Sequence, residues 1–212
     1  MNENENLYEK FLYGKKNEGH LKREEKSDIK NFSALKKMGF FENVKNMLVI
    51  GCPNLAFIEK SNDLGISVNG LDIDPDMIDG EIVLKCNVEK ESFPFENEKF
   101  DLIYSKGFIQ HLEKPPLNFI GEIKRTLKKN GKIVMIVRNE KSIKNIFDIW
   151  DNYKHKSSWT PISLQRLLED FGFEVVHNEP RFNFNPLRKL LILLPFKWLI
   201  GGTIVIVAQK NN

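Results

Sequence analysis

The sequence predicts an α/β protein built on a mostly parallel, doubly wound sheet with helices on both faces. Two observations carry this. Short apolar runs rich in β-branched residues alternate along the chain with segments of helical period, the order that right-handed strand–helix–strand crossovers produce. The run Met47-Leu48-Val49-Ile50, bounded by Gly51, is continuously apolar rather than alternating, as a strand covered on both faces requires.

The bulk properties agree. A chain of 212 residues, 41% hydrophobic and 29% charged, buries a full core without metal or disulfide staples. Its 32 basic and 29 acidic residues are interspersed, so a formal charge of +3 gives no expectation of a nucleic-acid partner. Cys52 and Cys86 lack metal-ligand spacing and each ends a run that reads as a buried strand, which suits reduced thiols. The polar opening MNENENLYEK is neither a secretory signal nor an anchor, so a cytoplasmic location is expected. The apolar stretch from Pro186 to Val207 is interrupted by Arg188, Lys189, Pro195 and Lys197 and fails as a membrane span.

Residues 1–26, rich in charge and amide, read as a flexible N-terminal arm with a short helix around 7–13. Ser27 stands as the cap of a longer helix, on which Phe32, Leu35, Met38 and Phe41 recur at helical spacing, with Gly39 offering a stop near the end of that segment. After the strand at 46–50, a helix over 53–64 opens on proline, where a missing N–H costs nothing, and closes at Gly65. Strands over 66–73, 81–86, 100–104 and 132–137 follow, with helices over 73–79 and 117–128 between some of them. A helix over 162–171 precedes strands at 173–176 and 203–207, making seven strands, the last two suited to antiparallel pairing. Residues 27–212 thus read as one domain with a lid or insert at about 141–160, and ligands belong in the crevice beyond the C-terminal strand ends.

Three stretches, MLVIGCPNLAFIEK, GLDIDPDMI and CNVEKESFPFENEKFDLIYSKGFIQHLEKPPLNFIGEIKRTLKKNGKIVMIV, resemble the class I S-adenosylmethionine (SAM)-dependent methyltransferases in their order and spacing. The third is the most specific. It combines a Phe93-Pro94-Phe95 turn, Phe100-Asp101-Leu102-Ile103 as a strand, His111 in the next loop, and Leu127-Lys128-Lys129-Asn130-Gly131 before another strand. The resemblance implies a Rossmann-like seven-stranded sheet and SAM as cofactor, with Gly51, Cys52, Asp72, Ile73, Asn87, Val88 and Ser105 around it. A carboxylate closing the second strand accepts hydrogen bonds from both ribose hydroxyls, and Asp72 lies about twenty residues after Gly51, as that geometry expects. Asp74, just before Pro75, reads better as a helix cap. Asn87 is open between accepting from the adenine amino group and shaping a turn. His111 is open between a catalytic base and a structural or solvent-facing imidazole.

Asp151-Asn152-Tyr153-Lys154-His155, followed by Trp159-Thr160-Pro161, is similar to a segment of methyltransferases associated with glycan biosynthesis. That likeness implies a lid with Asp151 and His155 at a sugar hydroxyl and Tyr153 or Trp159 stacked on a sugar face. The competing reading has Trp150 and Trp159 pack the lid onto the core. The acceptor is then a small molecule or glycan, with Tyr8, Tyr13, His20, Phe108 and Tyr153 as candidates to line its pocket.

The glycine-rich loop departs from the family pattern. Gly51 is present, but Pro53 and Leu55 replace two further glycines, and Val49 stands where many members carry an acid. Two functions therefore stand side by side: an active O- or N-methyltransferase, and a pseudo-methyltransferase serving as a binding or partner subunit. Residues 187–200, basic and apolar together, read as a peripheral membrane contact, a buried connector or a homodimer contact.

Overall fold

The computed structural model describes residues 18–52, 54–73, 82–143, 145, 155–181 and 197–211. Its elements are α1 (Glu18–Lys37), β1 (Asn46–Ile50), α2 (Ala56–Asn62), β2 (Ser67–Asp72), β3 (Val83–Lys85), β4 (Phe100–Lys106), a 3-10 turn (Ile109–His111), α3 (Leu117–Thr126), β5 (Leu127–Arg138), α4 (Pro161–Asp170), β6 (Phe173–Arg181), α5 (Lys197–Ile200) and β7 (Thr203–Lys210). The strands form one seven-stranded sheet in the order β3-β2-β1-β4-β5-β7-β6. Pairing is parallel from β3 to β5, while β7 runs antiparallel to both β5 and β6.

Side chains of the central strands alternate between two cores. Leu48, Ile50, Ile103, Ile133 and Met135 face one side, where Phe119, Ile120 and Ile123 of α3 and Leu164 and Leu168 of α4 cover them. Met47, Val49, Leu102, Tyr104 and Val134 face the other, against Phe32 and Leu35 of α1 and Phe57 and Ile58 of α2. With both faces covered, nothing polar has to punctuate the strands, which explains the unbroken apolar run of β1.

Several boundaries move. The first long helix is helical from Glu18, so Ser27 lies within it instead of capping it. Its polar early turns are held from outside: Lys106, at the end of β4, pairs with Glu24 at 2.9 Å and with Asp28 at 2.5 Å. The helix expected from residue 53 starts at Ala56, whose N–H donates to Asn54 Oδ1 at 3.0 Å, so an asparagine turn opens it. Strand β5 begins at Leu127 and pairs with Phe100 before the register shifts, a local irregularity that period alone does not reveal. The expected helices at 7–13 and 73–79 lie outside the described residues.

Two polar clusters fix the sheet's N-terminal edge. The Arg125 guanidinium donates to the carbonyls of Phe93 (3.0 Å) and Phe95 (2.8 Å) and to Glu122, which accepts the Phe93 N–H at 2.6 Å, pinning the Phe-Pro-Phe turn. Asp101 accepts the N–H groups of Lys45 (3.0 Å) and Asn46 (2.8 Å) and the ammonium of Lys128 (2.6 Å), tying the starts of β1, β4 and β5 together. Burial pushes the Asp101 carboxyl up, but Lys128 and the two amides more than offset this and hold it below the usual carboxylate range. A depressed folded-state value contributes stability above the ordinary carboxyl pKa of about 3.9, lost as pH falls through the folded value. Asp101→Asn should lower stability in urea titration at neutral pH by about 1–2 kcal/mol, and that deficit should vanish below about pH 3.

Candidate functional site

The parallel registers bring the C-terminal ends of β1, β2, β3 and β4 to one edge. Ile50 pairs with Leu71 on one side and with Ser105 on the other, and Asp72 pairs with Lys85. Gly51, Asp72 and Ser105 therefore stand close together at the carboxyl edge of an open α/β sheet, and Asn87 follows two residues after the end of β3.

Gly51 adopts φ +77°, a conformation that permits the sharp turn out of β1. A Cβ there would also lie 2.6 Å from Cδ2 of Phe108, whose ring packs directly over the glycine. The next residue, Cys52, donates its N–H to Asp72 Oδ2 at 2.8 Å, so the loop is folded onto the acid that ends β2. Cys52 is otherwise inert: burial, then Asp72, drive its thiol far above the ordinary range, and burial with Glu91 and Glu122 pushes Cys86 up to about 11. Both thiols are free and protonated at neutral pH.

Two of the three residues departing from the family pattern, Val49 and Leu55, pack into the core. Leu55 packs with the core beneath α1 and α2, and Val49 is buried in the same cluster. Pro53 lies outside the described residues, as do Asp74, Asp151 and Tyr153. Asn87 shapes its own turn, its Oδ1 accepting the Glu89 N–H at 3.1 Å and its N–H donating to Glu91 Oε2 at 2.9 Å. Val88 belongs to the core, and its carbonyl accepts from Asn118 Nδ2 at 2.9 Å. Ile73 is half-buried directly beyond Asp72.

Phe108 links this cradle to a second group. Its carbonyl accepts the His111 N–H at 2.9 Å, closing the 3-10 turn after β4. His111 meets His155 with ring centroids 5.0 Å apart and planes at 71°. Two residues far apart in sequence are thus brought together. A strap over residues 155–160 makes this possible: the Lys156 and Ser157 N–H groups both donate to the Gln110 carbonyl, and Ser157 Oγ donates to that of Ile109 at 3.1 Å. Trp159 is 2% exposed, its Nε1 donating to Ser157 Oγ at 2.9 Å, so it anchors the strap in the core. Burial, the neighbouring His111 and Arg138 together pull His155 down to about 4.

Four participants carry little or no signal in the sequence. Arg138 ends β5 and acts on His155 electrostatically; a charged residue closing a parallel strand was the available signal. Gln110 carries a buried Oε1 that accepts nothing among the described residues. Asp28 of α1 reaches over the edge, accepting from Asn54 Nδ2 at 2.9 Å as well as from Lys106, and Asn31 donates to the Tyr104 hydroxyl at 3.3 Å. Nothing local to α1 in sequence announces these contacts.

With this geometry in place, comparison with known proteins is decisive. A family model described as a methyltransferase domain matches residues 20–178. This chain belongs to that family. The chain is 30% identical over 146 residues to an uncharacterized protein of Methanocaldococcus jannaschii, a match covering 65% of this chain and 60% of that relative's length. Among solved structures it is similar to a SAM-dependent methyltransferase from Archaeoglobus fulgidus, with a TM-score of 0.69, 21% identity, and 96% of this chain and 98% of that one covered. It is also similar to a Haloferax volcanii structure containing the Trm112 methyltransferase activator, at TM-score 0.67, 16% identity and coverage of 89% and 94%. The fold is that of the class I SAM-dependent methyltransferases, with the Rossmann-like sheet described above. Among the described residues, no helix is long and apolar enough to cross a membrane.

The close approach at Gly51 has a measurable cost. Gly51→Ala strains a positive φ and drives its methyl group into Phe108, so the methyltransferase should lose roughly 2–4 kcal/mol, with part restored when Phe108→Ala is added. Because the folded value of His155 lies below the ordinary 6.5, stability should be lost as pH falls between about 6.5 and 4, where the unfolded chain takes up the proton first. An NMR titration should show the His155 ring protons unshifted until pH approaches 4, and His111→Asn should move that midpoint upward.

Proposed function

We propose that the protein transfers a methyl group from SAM to a hydroxyl or amine of a small acceptor. The observation that carries this is the junction at Phe108, which seats its ring on Gly51 of the cofactor-type loop and its carbonyl on the turn bearing His111. A cofactor cradle and a pair of imidazoles are thereby held on one edge of the sheet.

The residues present fit SAM. Gly51 supplies the tight turn, and Leu55 packs into the core instead of against the loop. The Asp72 carboxylate, steadied by the Cys52 N–H, would accept from the ribose hydroxyls. When bound, SAM supplies a methyl group already activated on a sulfonium leaving group. What remains for the chain is positioning and the acceptor's proton.

The His111–His155 pair suits that proton. With its pKa pulled down to about 4, above all by burial, His155 is neutral at neutral pH, so a lone pair is available at the pair. Arg138 disfavours a second positive charge there, which favours passing the proton onward to water. A glycan acceptor is the narrower form of this proposal and rests on the likeness of residues 151–161 to glycan methyltransferases, since Trp159 serves the core.

Calorimetric titration tests the reading. The folded protein should bind SAM, and Asp72→Asn should weaken binding by about 10–100-fold, the value of hydrogen bonds to a charged group. No heat from folded protein at saturating SAM would establish the binding-subunit alternative instead. His155→Gln should retain SAM affinity while slowing methyl transfer about 100-fold or more.

A further inference from the structure

A groove behind the strap has no part in the reading above. It lies between residues 155–160, the loop after the 3-10 turn and α4, and encloses about 440 Å³. Lys114, Lys141 and Arg166 line it against one carboxylate, Asp170. None of the three cations forms an ion pair among the described residues. Lys114 is held in place, its ammonium donating to the Ser158 carbonyl at 3.0 Å and lying 4.3 Å from the centre of the Trp159 ring, which leaves further N–H donors for a ligand.

The rim is apolar. Leu117, Ile143 and Ile162 are 57%, 55% and 52% exposed, the highest values among the large aliphatic side chains described. Ile162 lines the groove, Leu117 follows Pro115 of its wall by two residues, and Ile143 follows Lys141 by two. Asn139 extends the surface. Its Nδ2 donates to the carbonyls of Trp198 (2.7 Å) and Gly201 (2.8 Å), tying the turn that bears Lys141 to α5, where Leu199 and Ile200 are also exposed. Single exposed aliphatics are ordinary, but several on joined segments, interleaved with unpaired cations, match the headgroup layer of an anionic bilayer.

We propose that this edge docks on anionic phospholipid surfaces, with a lipid phosphate in the groove among Lys114, Lys141 and Arg166, and Leu117, Ile143 and Ile162 inserted beside it. The strap carries His155 four residues from Trp159 of the groove wall, so the Cα atoms of the two lie within about 14 Å of each other. Docking needs no cofactor, so it stands or falls independently of methyl transfer.

Co-sedimentation with vesicles of phosphatidylcholine alone, and of phosphatidylcholine mixed with phosphatidylglycerol, tests it at low and high salt. Binding should require the anionic lipid and weaken with salt. It should drop about fivefold for each charge removed in the doubly substituted Lys141→Gln, Arg166→Gln protein. Both side chains are exposed, so the variant should keep its thermal midpoint. Leu117→Ser with Ile162→Ser should weaken binding with the cations intact. Absence of sedimentation with anionic vesicles, equal sedimentation of parent and charge variant, or displacement by millimolar inorganic phosphate with the apolar variant unaffected would each overturn the proposal. The last result would assign the groove to a soluble phosphate compound.

Discussion

The level termination of β1, β2 and β4 is the constraint on which the other features rest. Parallel pairing in continuous register places Ile50, Leu71 and Ser105 side by side, so the chain must leave β1 between two neighbours ending at the same height. The only way out is a sharp reversal, and Gly51 makes it with a positive φ and a bare Cα. The missing side chain then admits the Phe108 ring, and the position of Phe108 sets the 3-10 turn that orients His111. One steric condition thereby propagates from sheet register to the imidazole pair.

Electrostatics act on top of that frame at two places of different character. Around Asp28, Lys106 and Asn54 the polar groups bond to one another and tie α1 to the loop after β1 and to the end of β4, with Asp28 itself buried. Around His155 burial, and after it His111 and Arg138, hold the pKa down, so the structure withholds a proton there. The first arrangement confers rigidity, and the second keeps a ring nitrogen unprotonated at neutral pH while weakening it as a base.

The central strands were legible in the sequence because burial on both faces leaves an unbroken apolar signature, as in Met47 to Ile50. The candidate edge was legible where strand ends determine it: the order of elements puts Gly51 and Asp72 at the ends of neighbouring strands, and the family resemblance adds Ser105. The start of α1 was not, since its charged opening shows no apolar face and Glu24 and Asp28 are held to the fold by Lys106, some eighty residues away. Asn87 and Val88 illustrate another limit, because a position beyond a strand fixes the backbone but not which hydrogen bond its side chain makes. The meeting of His111 with His155 depends on the strap bonding to Gln110, a long-range contact without local periodicity.

The antiparallel strand at the far side of the sheet carries a consequence for how the molecule is made. Strand β6 touches the sheet only through β7, which lies between it and β5 although it comes later in the chain. As residues emerge during synthesis, the five parallel strands can assemble, but β6 then has no ladder to join until residues 203–210 appear and slot in beside β5. Until then β5 offers an open edge to the cell, and the nascent protein is at its most vulnerable to pairing with the wrong strand.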